Sequence, residues 1–199
     1  YGLDWISISF DAATPETYHQ IRQGSSYETV IGNIKALRDI KQQLGSNAPR
    51  MMMVFVMMTG SQENYHELPA YIDLAHSLGV EQVIAKNLDV ITKDGDFERG
   101  LFSHDGAPIS RVEQIREQAQ KRAAELGVGL RLYDLQPQQQ IICEQRPVKN
   151  LYINWEGNIS PCITLSYAES RIFNAERVHV PCQIYGNIQD ESLETIWEK

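Results

Sequence analysis

Met51-Met52-Met53-Val54-Phe55-Val56-Met57-Met58 is an unbroken apolar run, bounded by Pro49 before it and Gly60 after it. A strand with one wet face alternates apolar and polar residues. A short run without alternation suits a strand buried on both faces, as in a parallel sheet covered by helices. The sequence on either side repeats the unit that such a sheet requires.

Upstream, Leu3 to Phe10 reads as a strand, with Ile6, Ile8 and Phe10 on one face and Ser7 and Ser9 on the other. Thr14 is placed to cap a short helix with Pro15 in its first turn. A longer helix starts near Ser26 and carries Tyr27, Val30, Ile31, Ile34, Leu37 and Leu44 at helical spacing, with Gly45 to stop it. Downstream, Asn64 and Glu67 form a capping arrangement for a helix that buries Leu68, Ile72, Ala75 and Leu78 and ends at Gly79. Val80 to Asn87 is the next strand, and Leu88 to Pro108 reads as an irregular loop. Ser110 and Glu113 then cap a helix showing Val112, Ile115, Ala119 and Leu126, ended by Gly127, and Gly129 to Leu135 is a fourth strand.

This alternation implies an α/β fold with a parallel sheet and right-handed crossovers. A barrel, a partial barrel and an open doubly wound sheet all fit. No glycine-rich phosphate loop follows any strand, which weakens the nucleotide-binding open sheet.

The pattern changes near Gln136, where Gln136-Pro137-Gln138-Gln139-Gln140 reads as a polar hinge. Leu151 to Trp155 alternates in strand fashion, Glu156-Gly157-Asn158 supplies a turn, and Ile159 to Thr164 returns. Ser192 to Trp197 opens a helix. Two domains are expected, over residues 1–135 and 136–199.

The 199 residues are 42% hydrophobic and 22% charged, with a net charge of −8. An acidic chain without a Lys/Arg cluster argues against nucleic acid as a main partner, because phosphate binding needs concentrated positive charge, and leaves room for a local basic site that takes one small anionic ligand. No apolar stretch approaches the roughly 18 residues needed to cross a bilayer. No signal peptide is visible. A cytoplasmic setting is expected, with the chain starting inside a longer protein.

All three cysteines, Cys143, Cys162 and Cys182, fall in the second half. The odd number argues against a closed disulfide framework, and the clustering favours a metal site. Thirteen residues separate Cys143 from Gly157 and four separate Gly157 from Cys162. A tight turn at Gly157 would carry Cys162 back toward the incoming strand. Iron–sulfur clusters take cysteine thiolates, while structural zinc takes cysteine or histidine. With His179 three positions before Cys182, a non-catalytic zinc or scaffold module is the rival reading, and three incidental thiols is the plain one.

In the first half, Ser9 and Asp11 lie at the end of the first strand and Arg22 on the helix after it. Ligands of parallel α/β folds sit at the carboxyl ends of strands, and a guanidinium there can grip a carboxylate. The same residues also read as a local hydroxyl, a helix cap and a solvated arginine.

Asp4-Trp5-Ile6-Ser7-Ile8-Ser9-Phe10-Asp11-Ala12, with Tyr18-His19-Gln20-Ile21-Arg22 and Ile31-Gly32-Asn33-Ile34-Lys35-Ala36-Leu37, resembles the fourth strand and following helices of radical S-adenosylmethionine (SAM) barrels. Leu151-Tyr152-Ile153-Asn154-Trp155-Glu156-Gly157-Asn158-Ile159-Ser160-Pro161-Cys162, with Cys143 ahead of it, resembles the opening of the SPASM or twitch domain of that family. Tyr185-Gly186-Asn187-Ile188 and Ser192-Leu193-Glu194-Thr195-Ile196-Trp197 resemble the downstream segment of that domain.

The resemblance implies the C-terminal part of a partial (β/α) barrel followed by a small hairpin-containing SPASM/twitch domain. It implies that Ser9, Asp11 and Arg22 bind SAM, Arg22 through the SAM carboxylate. It further implies that Cys143 and Cys162 ligate an auxiliary [4Fe-4S] cluster, with Cys182 as a further candidate. The implied activity is that of an oxidoreductase or maturase using a 5′-deoxyadenosyl radical on a peptide or protein, with ferredoxin or flavodoxin as reductant. A twitch-type enzyme of small-molecule cofactor biosynthesis is the alternative. The sequence departs from the family in lacking the Cys-x-x-x-Cys-x-x-Cys loop of the catalytic cluster, the first barrel strands and the later SPASM cysteines. Truncation at both ends accounts for these together, and this stretch alone is expected not to cleave SAM. A degenerate relative without a catalytic cluster is the alternative.

Overall fold

A computed structural model describes residues 2–88, 99–101, 110–136, 143, 145–173 and 176–198. Most of the expected loop from Leu88 to Pro108 and of the hinge after Gln136 lies outside these residues. Among the described residues the chain forms two compact units, one holding 2–88 and 99–136 and the other 143–198. No described helix is long and apolar enough to cross a membrane.

The first unit is a four-stranded parallel sheet. Strands β1 (Trp5–Ser9), β2 (Arg50–Met57), β3 (Gln82–Asn87) and β4 (Gly129–Leu132) lie side by side in chain order. The connecting helices are α1 (Pro15–Ile21), α2 (Tyr27–Gln43), α3 (Leu68–Ser77) and α4 (Ser110–Leu126). Thr14 caps α1 and Ser26 caps α2, each accepting a hydrogen bond from the backbone N–H three residues on.

Register explains which side of the sheet the helices cover. Ile6 pairs with Met51 and Ile8 with Met53, then Met53 with Val83 and Phe55 with Ala85. These residues share one face and join Tyr18, Ile34, Tyr71, Ile72 and Ala119 in a single core. Ser7, Ser9, Met52, Val54, Val56 and Ile84 occupy the other face, where they are exposed or half-buried. The apolar run was expected to be buried on both faces. Its burial instead alternates, with Met51, Met53, Phe55 and Met57 buried and Met52, Val54 and Val56 only half-buried. Apolar side chains on both faces left the sequence with no polar residue to mark the open side.

Two other expectations change. Leu44, placed on the buried stripe of α2, is 75% exposed and caps the helix C-terminus. Glu67 occupies the N-cap position of α3, but neither its side chain nor that of Asn64 makes the expected capping hydrogen bond. Glu67 reaches across to α1, where its carboxylate accepts hydrogen bonds from the Ala13 N–H at 2.6 Å, the Thr14 N–H at 3.3 Å and the Thr14 and Thr17 hydroxyls. The Thr14 cap of α1 is thus held in place by the segment leading into α3.

The second unit is built from short strands. Antiparallel β5 (Tyr152–Ile153) and β6 (Asn158–Ser160) are joined by β9 (Gly186–Asn187), while β7 (Glu169–Phe173) and β8 (Glu176–Val180) form a separate ribbon. Helix α5 (Leu193–Trp197), capped by Ser192, contributes the buried Ile196. Ile159, Ser160, Ser166 and Ile196 are the most buried of the described residues in this small unit.

Candidate functional site

Phe10 sits between Ser9 and Asp11 in the chain and is fully buried. Its ring lies 4.7 Å from Tyr18, 5.3 Å from Tyr27 and 6.4 Å from Tyr71, centroid to centroid. Such pairs add about 0.5–1.5 kcal/mol beyond area burial. Anchoring Phe10 on the helix side sets the direction of the two polar residues flanking it, Ser9 as the last residue of β1 and Asp11 just past it.

Asp11 is 3% exposed and has a left-handed backbone, with φ of 64°. That conformation is uncommon outside glycine, although Asp and Asn adopt it more readily than other residues. The turn sends the chain out of the sheet and folds the carboxylate back over it. Asp11 Oδ1 accepts the Val56 N–H at 2.8 Å, where a further β1 carbonyl would otherwise stand. Asp11 Oδ2 pairs with Arg22 Nη2, which also donates to Ser9 Oγ. The Asp11 carbonyl accepts from Asn64 Nδ2 at 2.8 Å; the same amide group donates to Val56 O, and Asn64 Oδ1 accepts the Met58 N–H at 2.7 Å. Fully buried Asn64 therefore satisfies three backbone groups around the site.

Arg22 is the C-cap of α1 and keeps 35% of its side chain exposed. Its Nε is buried without a hydrogen-bond partner. The structure thus brings Ser9, Asp11 and Arg22 together at the carboxyl edge of the parallel sheet. A half-exposed cation there, beside a hydroxyl, is equipped to receive a small anionic group. Asn64 and Glu67 were read as helix caps and missed as supports of this edge. Their i to i+3 spacing is a capping signal, and nothing local says that the partner lies more than fifty residues back.

The thiols lie in the second unit. Cys143 is exposed, and its carbonyl accepts the Arg146 N–H at 2.9 Å in a turn leading toward β5. The hairpin turn is closed by buried Asn154, whose Oδ1 accepts the N–H groups of Glu156 and Asn158, each at 3.0 Å. Gly157 has φ of 83°, and a Cβ there would stand 2.9 Å from Asn187 Oδ1. Asn187 in turn donates to Glu156 O at 3.0 Å and Asn158 Oδ1 at 2.9 Å, so the Gly186-Asn187 pair locks the hairpin.

Half-buried Cys162 caps a single 3-10 turn, Ile163–Leu165, with its carbonyl accepting from Ser160 Oγ at 2.8 Å. The ribbon β7–β8 returns the chain to the far end of that same turn. Gln183 N–H donates to Leu165 O at 2.8 Å, and Cys182 Sγ lies 3.5 Å from Ser166 O. Cys162 and Cys182 thus stand at the two ends of one turn. Residues 169–180 close on themselves as a hairpin, which is why a twenty-residue separation in sequence becomes a short one in space. His179 is exposed on β8 and opposes Ser170.

All three cysteines are free thiols, the donor type an iron–sulfur cluster takes. Among the described residues, no three Cys, His, Asp or Glu side chains converge closely enough to hold a metal ion. Residues 143–199 match the SPASM family, an iron-sulfur cluster-binding domain. The chain carries a SPASM domain. The match opens at Cys143 and contains every thiol of the chain.

The chain is also similar to the tungsten-containing aldehyde ferredoxin oxidoreductase cofactor-modifying protein of Pyrococcus furiosus. The two are 23% identical over 197 residues, covering 98% of this chain and 52% of that protein. The chain thus spans about half the length of the curated relative it matches. The SPASM match and this relative support the resemblance of the chain to radical SAM proteins with a SPASM domain.

Proposed function

We propose that this chain belongs to a radical SAM maturase whose parallel sheet is an arc of the (β/α) barrel and whose SPASM domain carries an auxiliary [4Fe-4S] cluster. The observation that carries the reading is the coincidence of the SPASM match, opening at Cys143, with a polar cluster at the carboxyl ends of parallel strands. The bare sheet face holding Ser9, Val54 and Val56 supports the barrel, since a closing barrel covers that side.

Arg22 and Ser9 bind the methionyl carboxylate of SAM in this reading, and Asn64 and the aromatic core behind Phe10 keep that edge fixed. Cys162 and Cys182, at the ends of one turn, and Cys143, ahead of the hairpin, are the thiolate donors. When bound, SAM and its iron–sulfur partner supply one-electron chemistry at a sulfonium carbon. The reductant is a ferredoxin or flavodoxin. The substrate is a peptide or protein. A second substrate reading, a small-molecule cofactor, is favoured by the relative, which is named as a cofactor-modifying protein.

Metal analysis separates the cluster from the zinc alternative. Anaerobically reconstituted protein is expected to be brown and to contain iron with acid-labile sulfide. Stoichiometric zinc without sulfide would overturn the cluster and leave a structural ion as the function of the thiols.

A further inference from the structure

Asp11 has more bonds than a surface cap needs and none directed outward. One carboxylate oxygen is engaged by the Val56 N–H at 2.8 Å and the other by Arg22. Its carbonyl is engaged by Asn64 at 2.8 Å. At 3% exposure there is no open side from which a ligand could approach it. Arg22, in contrast, remains partly exposed and retains an unpartnered Nε.

A flexible arginine at a helix C-terminus loses rotamer entropy when it grips a ligand. Holding its guanidinium in advance removes part of that cost. The left-handed backbone at Asp11 is uncommon for a non-glycine residue, and strained conformations of this kind persist where surrounding structure holds them. Here they are held by β2, by Asn64 and by Phe10 in the aromatic core.

We infer that Asp11 is a positioning residue: fixed to β2 through the Val56 N–H, it holds the Arg22 guanidinium beside Ser9 in the orientation that receives the ligand carboxylate, and it does not touch the ligand. This rests on the proposed SAM site at the same edge. It assigns to Asp11 a role distinct from that of Ser9 and Arg22, with which the resemblance grouped it.

Asp11→Asn isolates the role. The asparagine Oδ1 still accepts from Val56, and asparagine tolerates the left-handed backbone, so the fold is kept. The amide that replaces Oδ2 cannot accept from Arg22. The test is equilibrium binding to the reconstituted full-length protein of two probes, SAM and 5′-methylthioadenosine, which lacks the methionyl carboxylate. Arg22→Ala and Asp11→Asn are each expected to weaken SAM about tenfold and to leave 5′-methylthioadenosine unchanged. The double variant is expected to be no weaker than Arg22→Ala alone, because Asp11 acts only through Arg22.

If Arg22→Ala leaves SAM affinity unaltered, the carboxylate site itself is wrong and this inference falls with it. If Arg22→Ala weakens SAM but Asp11→Asn does not, the site stands and the positioning role is overturned. The positioning role is likewise overturned if the two losses multiply in the double variant, or if Asp11→Asn weakens both probes equally. Should Asp11→Asn also lower the melting temperature, the ratio of the two affinities still decides, since general loosening moves both probes together.

Discussion

The carboxyl edge of the parallel sheet and the cysteine-bearing hairpin region each carry candidate site residues, yet only at the first do those residues bond to one another. At the sheet edge, Ser9, Asp11 and Arg22 meet through hydrogen bonds and an ion pair that the polypeptide completes unaided. In the SPASM domain the turn framework is in place, with Asn154 and Asn187 both bonded to Glu156 and Asn158 on either side of Gly157. The three thiols, by contrast, do not form a converged set among the described residues. The difference is chemical. A guanidinium and a carboxylate attract each other, whereas thiols are weak donors and weak acceptors with little reason to gather until a metal draws them together.

The largest expected effect breaks this comparison if it fails. Removing iron from the reconstituted protein, or changing Cys162→Ser, should lower amide protection across residues 145–198 by about tenfold or more, because a cluster that binds only the folded form stabilises it. Residues 5–57 should keep their protection. Cys162→Ser should also lose about one cluster's worth of iron. Unchanged protection of residues 145–198, or unchanged iron, would show that the thiol region needs no metal to complete it or that Cys162 is no ligand.

A smaller effect sharpens the contrast by testing the framework that precedes any metal. Gly157→Ala puts a Cβ where φ is 83° and Asn187 Oδ1 is 2.9 Å away. The cost is expected to be about 1–3 kcal/mol in denaturant unfolding of the SPASM domain. It should appear with and without iron. A cost seen only in the iron-loaded protein would mean that the hairpin, like the thiols, is set by the cluster.

Sequence legibility follows the same division. The parallel sheet was readable because each strand and helix announces itself locally, through the run at Met51 to Met58 and the caps at Thr14 and Ser26. Which side of β2 the helices cover was not readable, since Met52, Val54 and Val56 are as apolar as their buried neighbours. Ser9, Asp11 and Arg22 were legible as candidates from their place at a strand end, but the bonds joining them to Val56 and Asn64 depend on a turn with positive φ that Asp does not advertise. Cys182 was legible as a thiol and no more. Its return to the Cys162 turn depends on a β7–β8 ribbon without an Asn-Gly or similar turn signal, and on a backbone bond from Gln183 to Leu165. Asn187 escaped because its partners lie in a hairpin turn some thirty residues earlier.

The smallest effect concerns the sheet edge alone. Tyr71 is fully buried beneath it and donates to Val54 O at 3.2 Å, the same carbonyl that accepts the Phe10 N–H. Burial, reinforced by nearby Asp11, pushes the Tyr71 phenol well above its ordinary range. The neutral phenol is therefore the form the fold accepts. Its contribution is complete below about pH 10, where the unfolded chain's phenol is also neutral, and is lost as pH rises beyond that and only the unfolded chain ionises. Tyr71→Phe removes one hydrogen bond, an expected cost of about 0.5–1.5 kcal/mol at neutral pH. It also removes an ionisation that favours unfolding in alkali. The melting temperatures of wild type and variant should therefore converge as pH rises above about 10. Because the sheet edge is completed by the chain itself, the convergence should be the same before and after iron is removed. A gap independent of pH would mean that Tyr71 ionises as readily in the fold as outside it, and that the edge beneath Asp11 is open to water.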